Sequence, residues 1–201
     1  ADPRIGHHFI YPGCGYGGSC FPKDVKALER TALQVGYDTQ VIRAVQKIND
    51  TQKTILYSKL SMYFGGTTQL EGATICIWGL SFKPNTNDMR EAPSRTLMEA
   101  LWQCGVTVKA YDPAAREEAE RIYGKQDRLK LFDDKYDALQ DADALVICTE
   151  WQEFRAPDLT EMARRMRKKV IVDGRNLYSP KKLLSAGWDY MAVGRVQIQI
   201  N

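Results

Sequence analysis

The chain lacks any C-x-x-C pair. Its five cysteines, Cys14, Cys20, Cys76, Cys104 and Cys148, are odd in number and widely spaced. That excludes the common zinc motifs and a paired disulfide framework, and it reads as free thiols in a reducing, cytoplasmic compartment. Histidine is scarce: His7 and His8 stand side by side near the start, a placement that fits a loop better than metal ligation. No metal site is expected. No apolar run approaches the ~20 residues of a membrane span, and no signal-peptide pattern is visible, so no membrane partner is expected. An excess of one charge is missing too. The formal net charge is +3, with 26% charged and 44% hydrophobic residues, ordinary values for a globular chain. Without a basic stripe interleaved with aromatics, nucleic acid is not an expected partner. The densest basic cluster is Arg164, Arg165, Arg167, Lys168 and Lys169. It falls at the end of a predicted helix and reads as a solvated, dipole-complementing terminus.

What is present begins with the run Gly13-Cys14-Gly15-Tyr16-Gly17-Gly18-Ser19-Cys20-Phe21-Pro22-Lys23-Asp24. Gly13, Gly15 and Gly18 satisfy the G-x-G-x-x-G spacing, but a dinucleotide fingerprint also needs a buried strand before it. The preceding residues, Arg4 to Pro12, contain no such strand, and Pro12 would interrupt one. The glycines instead suit a backbone that adopts positive φ and comes close to a ligand. A helix is predicted from Pro22, with Val25, Leu28, Ala32 and Val35 at helical spacing and Gly36 as its stop. Cys20 then lies just before a helix N-terminus, where the dipole and the nearby Lys23 ammonium favour negative charge. Asp24, one turn on, is placed to accept a proton or position a water. Two readings stand at this point: a nucleophilic thiol, or a buried inert thiol beside a capping aspartate.

Residues 1–66 read as a loop followed by two helices, the second running from about Asp38 to Phe64. Val41, Val45, Ile48, Ile55 and Met62 form its apolar stripe, widened by Ile42, Leu56 and Tyr63. Such a helix spans two domains or packs against a partner subunit. Residues 67–201 form the second part. Strands are expected at Ala73–Trp78, Val106–Tyr111, Leu129–Phe132, Ala144–Cys148, Val170–Asp173 and Tyr190–Val193, separated by helical patterns. That alternation predicts an α/β fold with a Rossmann-like parallel sheet following the helical segment. Ligands bind off the carboxyl ends of such strands. There the sequence places Lys83, Asp112, Thr149, Glu150, Asp173 and Arg175. Lys83, Arg90 and Arg175 together suit a phosphate or pyrophosphate, the alternative for each being a surface salt bridge. The turn Gly79-Leu80-Ser81-Phe82 is not the dinucleotide type.

Five ordered segments carry a family resemblance: Gly15 to Asp24, Gly79 to Thr86 with Asp88 to Glu91, Tyr111-Asp112-Pro113, Cys148-Thr149-Glu150-Trp151, and Asp173-Gly174-Arg175-Asn176. Together they resemble the UDP-glucose/GDP-mannose dehydrogenase family over nearly the whole chain. The resemblance implies NAD-dependent oxidation of a nucleotide-sugar C6 alcohol to a carboxylate. It implies that Cys20 forms the thiohemiacetal and thioester, with Asp24 positioning or activating water. It puts Lys23 and Arg90 near the NAD phosphates or the reacting sugar, and Lys83 and Arg175 on the UDP-sugar. Phe9, Ile10, Tyr16, Gly17 and Phe21 would line the substrate pocket, and Arg4 would reach the neighbouring subunit's substrate. Helix 38–64 would form a homodimer core. Family members begin with an NAD-binding Rossmann domain that this sequence lacks, so the chain is expected to be a C-terminal fragment, inactive alone. Asn85-Thr86 and Glu150-Trp151 favour the UDP-glucose branch. The alternatives are a GDP-mannose sibling, a relative acting on N-acetylated UDP-sugars, and a free-standing nucleotide-sugar-binding or dimerisation module.

Overall fold

A computed structural model describes Asp2, Gly6 and residues 10–195; Arg4, His7, His8 and Phe9 lie outside the described residues. Six strands form one parallel sheet: β1 (Thr74–Trp78), β2 (Thr107–Tyr111), β3 (Leu129–Leu131), β4 (Ala144–Ile147), β5 (Val170–Asp173) and β6 (Asp189–Ala192). Their order is β3-β2-β1-β4-β5-β6, so the chain reverses direction across the sheet between β1 and β4. Register is set by the apolar alternation. Along β1, Ile75 and Ile77 enter the core on one face while Cys76 and Trp78 enter the core on the other. The same two-face burial repeats in β4 and β5, as a parallel sheet with helices on both sides requires.

The helices are α1 (Phe21–Gln34), α2 (Gln40–Lys53), α3 (Ile55–Phe64), α4 (Pro93–Gln103), α5 (Arg116–Tyr123), α6 (Leu159–Arg165) and α7 (Pro180–Ser185). Pro22, Pro93 and Pro180 stand in first turns, where the missing N–H leaves no bond unmade. One face of the sheet is covered by α3 and α4 through Leu56, Leu60, Leu97, Met98 and Leu101, and the other by Met162, Leu183, Trp188 and their neighbours. The three arginines of the basic cluster at the end of α6 are in ion pairs: Arg164 and Arg165 meet Glu161, and Arg167 meets Asp143.

The single long helix expected over 38–64 is in fact two. Thr54 separates α2 from α3, its N–H closing a tight bond to the Thr51 carbonyl at 3.1 Å. Side-chain hydroxyls cause the break. Thr54 Oγ1 donates to Thr51 O at 2.7 Å, Thr51 Oγ1 to Lys47 O and Ser58 Oγ to Thr54 O, so hydroxyls compete for the helix carbonyls. The two halves then differ. α3 buries Leu56 and Leu60 in the sheet core, whereas α2 leaves Val41, Val45 and Ile48 exposed and buries Asn49 and Lys53. No helix among the described residues is long and apolar enough to cross a membrane.

Candidate active site

The glycine-rich run is draped over the carboxyl edge of the sheet. Its closeness to that edge explains the glycines. A Cβ at Gly17 would collide with the Glu91 carbonyl, and one at Gly13 with the Arg175 guanidinium. Gly18 has φ of 96° and lies against the Phe82 ring, 2.8 Å from where its Cβ would be. Its N–H donates to Arg90 O at 2.7 Å. The glycines, expected to bring the backbone close to a ligand, bring it close to the protein's own Arg175, Glu91 and Phe82.

Helix α2 supplies the loop's other anchors, through a face that the apolar stripe concealed. Asn49 satisfies both backbone groups of Tyr16: its Oδ1 accepts from Tyr16 N at 2.8 Å and its Nδ2 donates to Tyr16 O at 3.2 Å. Gln52 Nε2 donates to Gly13 O at 2.6 Å. Lys53, almost wholly buried, reaches Glu91 at 2.8 Å. The spacing of 49, 52 and 53 puts all three on one helix face, and that polar i, i+3, i+4 pattern was the available signal.

The run carries two cysteines with opposite surroundings. Cys14 is fully buried and its Sγ lies 3.7 Å from Cys148 O; burial pushes its thiol up to about 11. Cys20 is exposed at the start of α1, with Ser19 Oγ at 3.6 Å. Cys14 is thus the buried thiol of the run, and Cys20 the exposed one. Asp24 lies one turn into α1, its N–H donating to Cys20 O at 2.8 Å. Lys23 Nζ is 3.5 Å from the Asp24 carboxylate, and both side chains are exposed.

Two clefts open on either side of the loop. The first, about 690 Å³, gathers Ile10, Tyr16, Gly17, Phe21, Lys83 and Arg175. Aromatic surface is concentrated there: Tyr16 and Phe21 meet edge to face at 4.7 Å, and Lys83 Nζ stands 5.4 Å from the Phe82 ring centre. The second, about 600 Å³, gathers Lys23, Lys26, Arg30, Arg90 and Arg95. The three cations expected on one edge are therefore divided: Lys83 and Arg175 face the first cleft, Arg90 the second. The loop seated against Phe82 and Glu91 borders both. Two of these cations are also paired. Arg175 meets Glu150 through Nε and Nη2, each at 2.7 Å. Arg90 meets Asp88 through Nε at 3.0 Å and Nη2 at 2.8 Å, hydrogen bonds that hold the Asp88 carboxyl below the usual range.

The sheet's own phosphate-type turn is occupied from within. Asp112, at the end of β2, accepts from Leu80 N at 2.6 Å, Ser81 N at 3.0 Å and Trp151 Nε1 at 3.2 Å. The amides that a dinucleotide diphosphate would use are bonded to that carboxylate. Asp173, at the end of β5, plays a similar part for its own loop, accepting from Arg175 N, Leu177 N and Tyr190 Oη. No cluster of three or more His, Cys, Asp and Glu with metal-site geometry occurs among the described residues.

Comparison with known proteins fits this layout. Residues 76–180 match the family model described as the UDP-binding domain of the UDP-glucose/GDP-mannose dehydrogenase family, and residues 1–51 match the model of its central domain. A UDP-glucose 6-dehydrogenase from Pseudomonas aeruginosa is 50% identical, covering 97% of this chain and 43% of that protein. The UDP-glucose 6-dehydrogenase TuaD from Bacillus subtilis is 41% identical, covering 98% of this chain and 42% of that protein. A solved UDP-glucose dehydrogenase from Pyrobaculum islandicum superposes with a TM-score of 0.78 at 31% identity, over 96% of this chain and 40% of that one. The chain thus spans less than half the length of the relatives it matches. With the UDP-binding model alone matching just over half of its residues, it belongs to the UDP-glucose/GDP-mannose dehydrogenase family.

Proposed function

We propose that this chain is the substrate-holding and sulfur-bearing part of an NAD-dependent UDP-glucose 6-dehydrogenase. The observation that carries this reading is the first cleft, where Tyr16, Phe21, Lys83 and Arg175 converge one residue from an exposed Cys20. Lys83 and Arg175 bind the diphosphate of the nucleotide sugar, and the aromatic wall takes its apolar faces. Gly13 leaves room for the Arg175 guanidinium, and Gly17 for the Glu91 carbonyl that supports the loop.

Cys20 acts as the nucleophile. Its sulfur adds to the aldehyde-level carbon of the sugar and later holds the carboxyl level as a thioester, keeping the intermediate in place between the two oxidations. Asp24 positions the water that releases the product and takes up its proton. NAD, when bound, supplies the hydride acceptor for both oxidations. The second cleft fits one portion of that cofactor, since Lys23 and Arg90 stand among five cations suited to a diphosphate. It does not supply a dinucleotide turn, and the Gly79–Ser81 amides are already bonded to Asp112. The chain alone therefore holds too little of the cofactor to turn over. The outward apolar face of α2 supports a homodimer built on that helix.

Calorimetry with UDP-glucose and GDP-mannose tests the cleft: preferential binding of UDP-glucose is expected, and a GDP preference moves the chain to the sibling branch. NADH formation by the purified 201-residue chain would overturn its inactivity. In an enzyme that carries this segment, Cys20→Ala is expected to abolish turnover while substrate affinity is kept. Normal turnover by that variant removes the covalent role.

A further inference from the structure

Glu91 is tied to the Cys20 loop and to both helices beside it. Its φ is 54°, a left-handed conformation that a glutamate holds only where its surroundings over-determine it. Oε1 accepts from Lys26 Nζ of α1 at 3.0 Å, and Oε2 from Lys53 Nζ of α2 at 2.8 Å. Its carbonyl lies directly under Gly17, and the carbonyl of Arg90 beside it receives the Gly18 N–H. One residue thus touches the turn before Cys20, the helix that Cys20 begins, and the helix whose Asn49 holds Tyr16. Lys53 is nearly buried, so without this carboxylate its charge would lose its only ion-pair partner among the described residues.

We propose that Glu91 is a positioning residue for Cys20, fixing the turn from Gly17 to Phe21 by tying α1 to α2, and so the direction in which the sulfur is presented. This rests on the reading of Cys20 as the nucleophile of the adjoining cleft. Three consequences are distinctive. The effect must pass through both lysines. It must be felt at Cys20 more than elsewhere. Breaking the pair from either side must give the same result, because partners in one network do not add.

The test labels Cys20 with a trifluoromethyl thiol reagent in the 201-residue chain and follows its fluorine resonance. Cys104→Ser removes the half-exposed competitor; Cys14, Cys76 and Cys148 are buried. One narrow line is expected for the parent. Glu91→Gln, Lys53→Met and Lys26→Met should each broaden the line by roughly twofold or more, or split it, as the sulfur samples several settings. Glu91→Gln combined with Lys53→Met should be no worse than the stronger single change, and Lys26→Arg should restore the narrow line. Val108→Ala, buried in β2 away from the loop, should lower Tm and leave the line unchanged. An unaltered line in a folded ion-pair variant overturns the proposal, and so does equal broadening in Val108→Ala. If the Lys53 and Glu91 variants do not fold, Lys26→Met decides alone, since Lys26 is exposed and removes only one arm. Failure of the nucleophile reading is separate: it shows as turnover surviving Cys20→Ala, with the resonance behaviour intact.

Discussion

At the scale of single residues, charge placement makes the most direct forecasts. Lys53 first, and Lys26 with it, hold the Glu91 carboxyl down to about 2, against an ordinary 4.5. A depressed carboxyl contributes stability that is complete above its unfolded value and disappears as pH falls toward the folded one. Acid melts should therefore show a loss of Tm between about pH 4.5 and 2 to which Glu91 contributes. Glu91→Gln should lower Tm at neutral pH and flatten the curve across that window; parallel curves for the two proteins would refute the linkage. Gly13 offers a second forecast. A methyl there meets the Arg175 guanidinium, a flexible group that can move, so Gly13→Ala should fold. Arg175 would have to leave its Glu150 pairing or its place in the cleft. Affinity for UDP-glucose should fall roughly tenfold, the worth of about one charge-assisted hydrogen bond. Calorimetry showing unchanged affinity would place the sugar nucleotide elsewhere.

At the scale of elements, α2 and α3 answer to different rules although the sequence runs through them without a proline or glycine. Leu60 of α3 is fully buried in the sheet core. Leu60→Ala should cost about 2–5 kcal/mol through lost burial and a residual cavity, measured by denaturant unfolding. Asn49 of α2 is buried too, but it closes both backbone groups of Tyr16. Asn49→Ala should cost about 1–3 kcal/mol by leaving that amide and carbonyl unmade, and it should weaken UDP-glucose binding as well. Leu60→Ala should leave affinity intact in the folded fraction, and this contrast separates the two roles. The difference also marks what could be read in advance. The strands were legible because apolar runs end at Gly79, Asp112, Cys148 and Gly174, where turn chemistry or polar ends follow directly. The place of Cys20 at a helix start was legible because its glycines and following proline are local. The Asn49, Gln52 and Lys53 face left only a polar i, i+3, i+4 pattern, which the apolar stripe outweighed. Periodicity assigns apolar residues inward, but α2 packs inward against bare backbone, which demands polar partners. The Arg175–Glu150 pair was equally hidden, because it joins the ends of two strands through space.

At the scale of the whole molecule, the inverted helix α2 is the clearest sign that the described surface is not a finished exterior. Val41 and Ile48 are 77% and 67% exposed, and Leu28, Leu33, Val35 and Tyr37 continue the apolar surface along and just beyond α1. Scattered exposed apolar residues are normal, but a run along two packed helices with the polar face turned inward is not. The sheet half shows the opposite habit, with its apolar residues gathered into two cores and little large apolar surface left outside. The unfinished region therefore centres on α1 and α2 and reaches Met62 of α3, and a second copy joined on α2 and the exposed side of α3 would cover the part that does not face the clefts. Sedimentation velocity should show the chain passing from monomer to dimer as concentration rises. Val41→Lys with Met62→Lys, both at exposed positions, should shift that equilibrium strongly to monomer while Tm at low concentration stays close to the parent's. A parent chain that stays monomeric at every concentration would assign this surface to another part of the protein. If the double variant dimerises as well as the parent, the joining face lies off the helix.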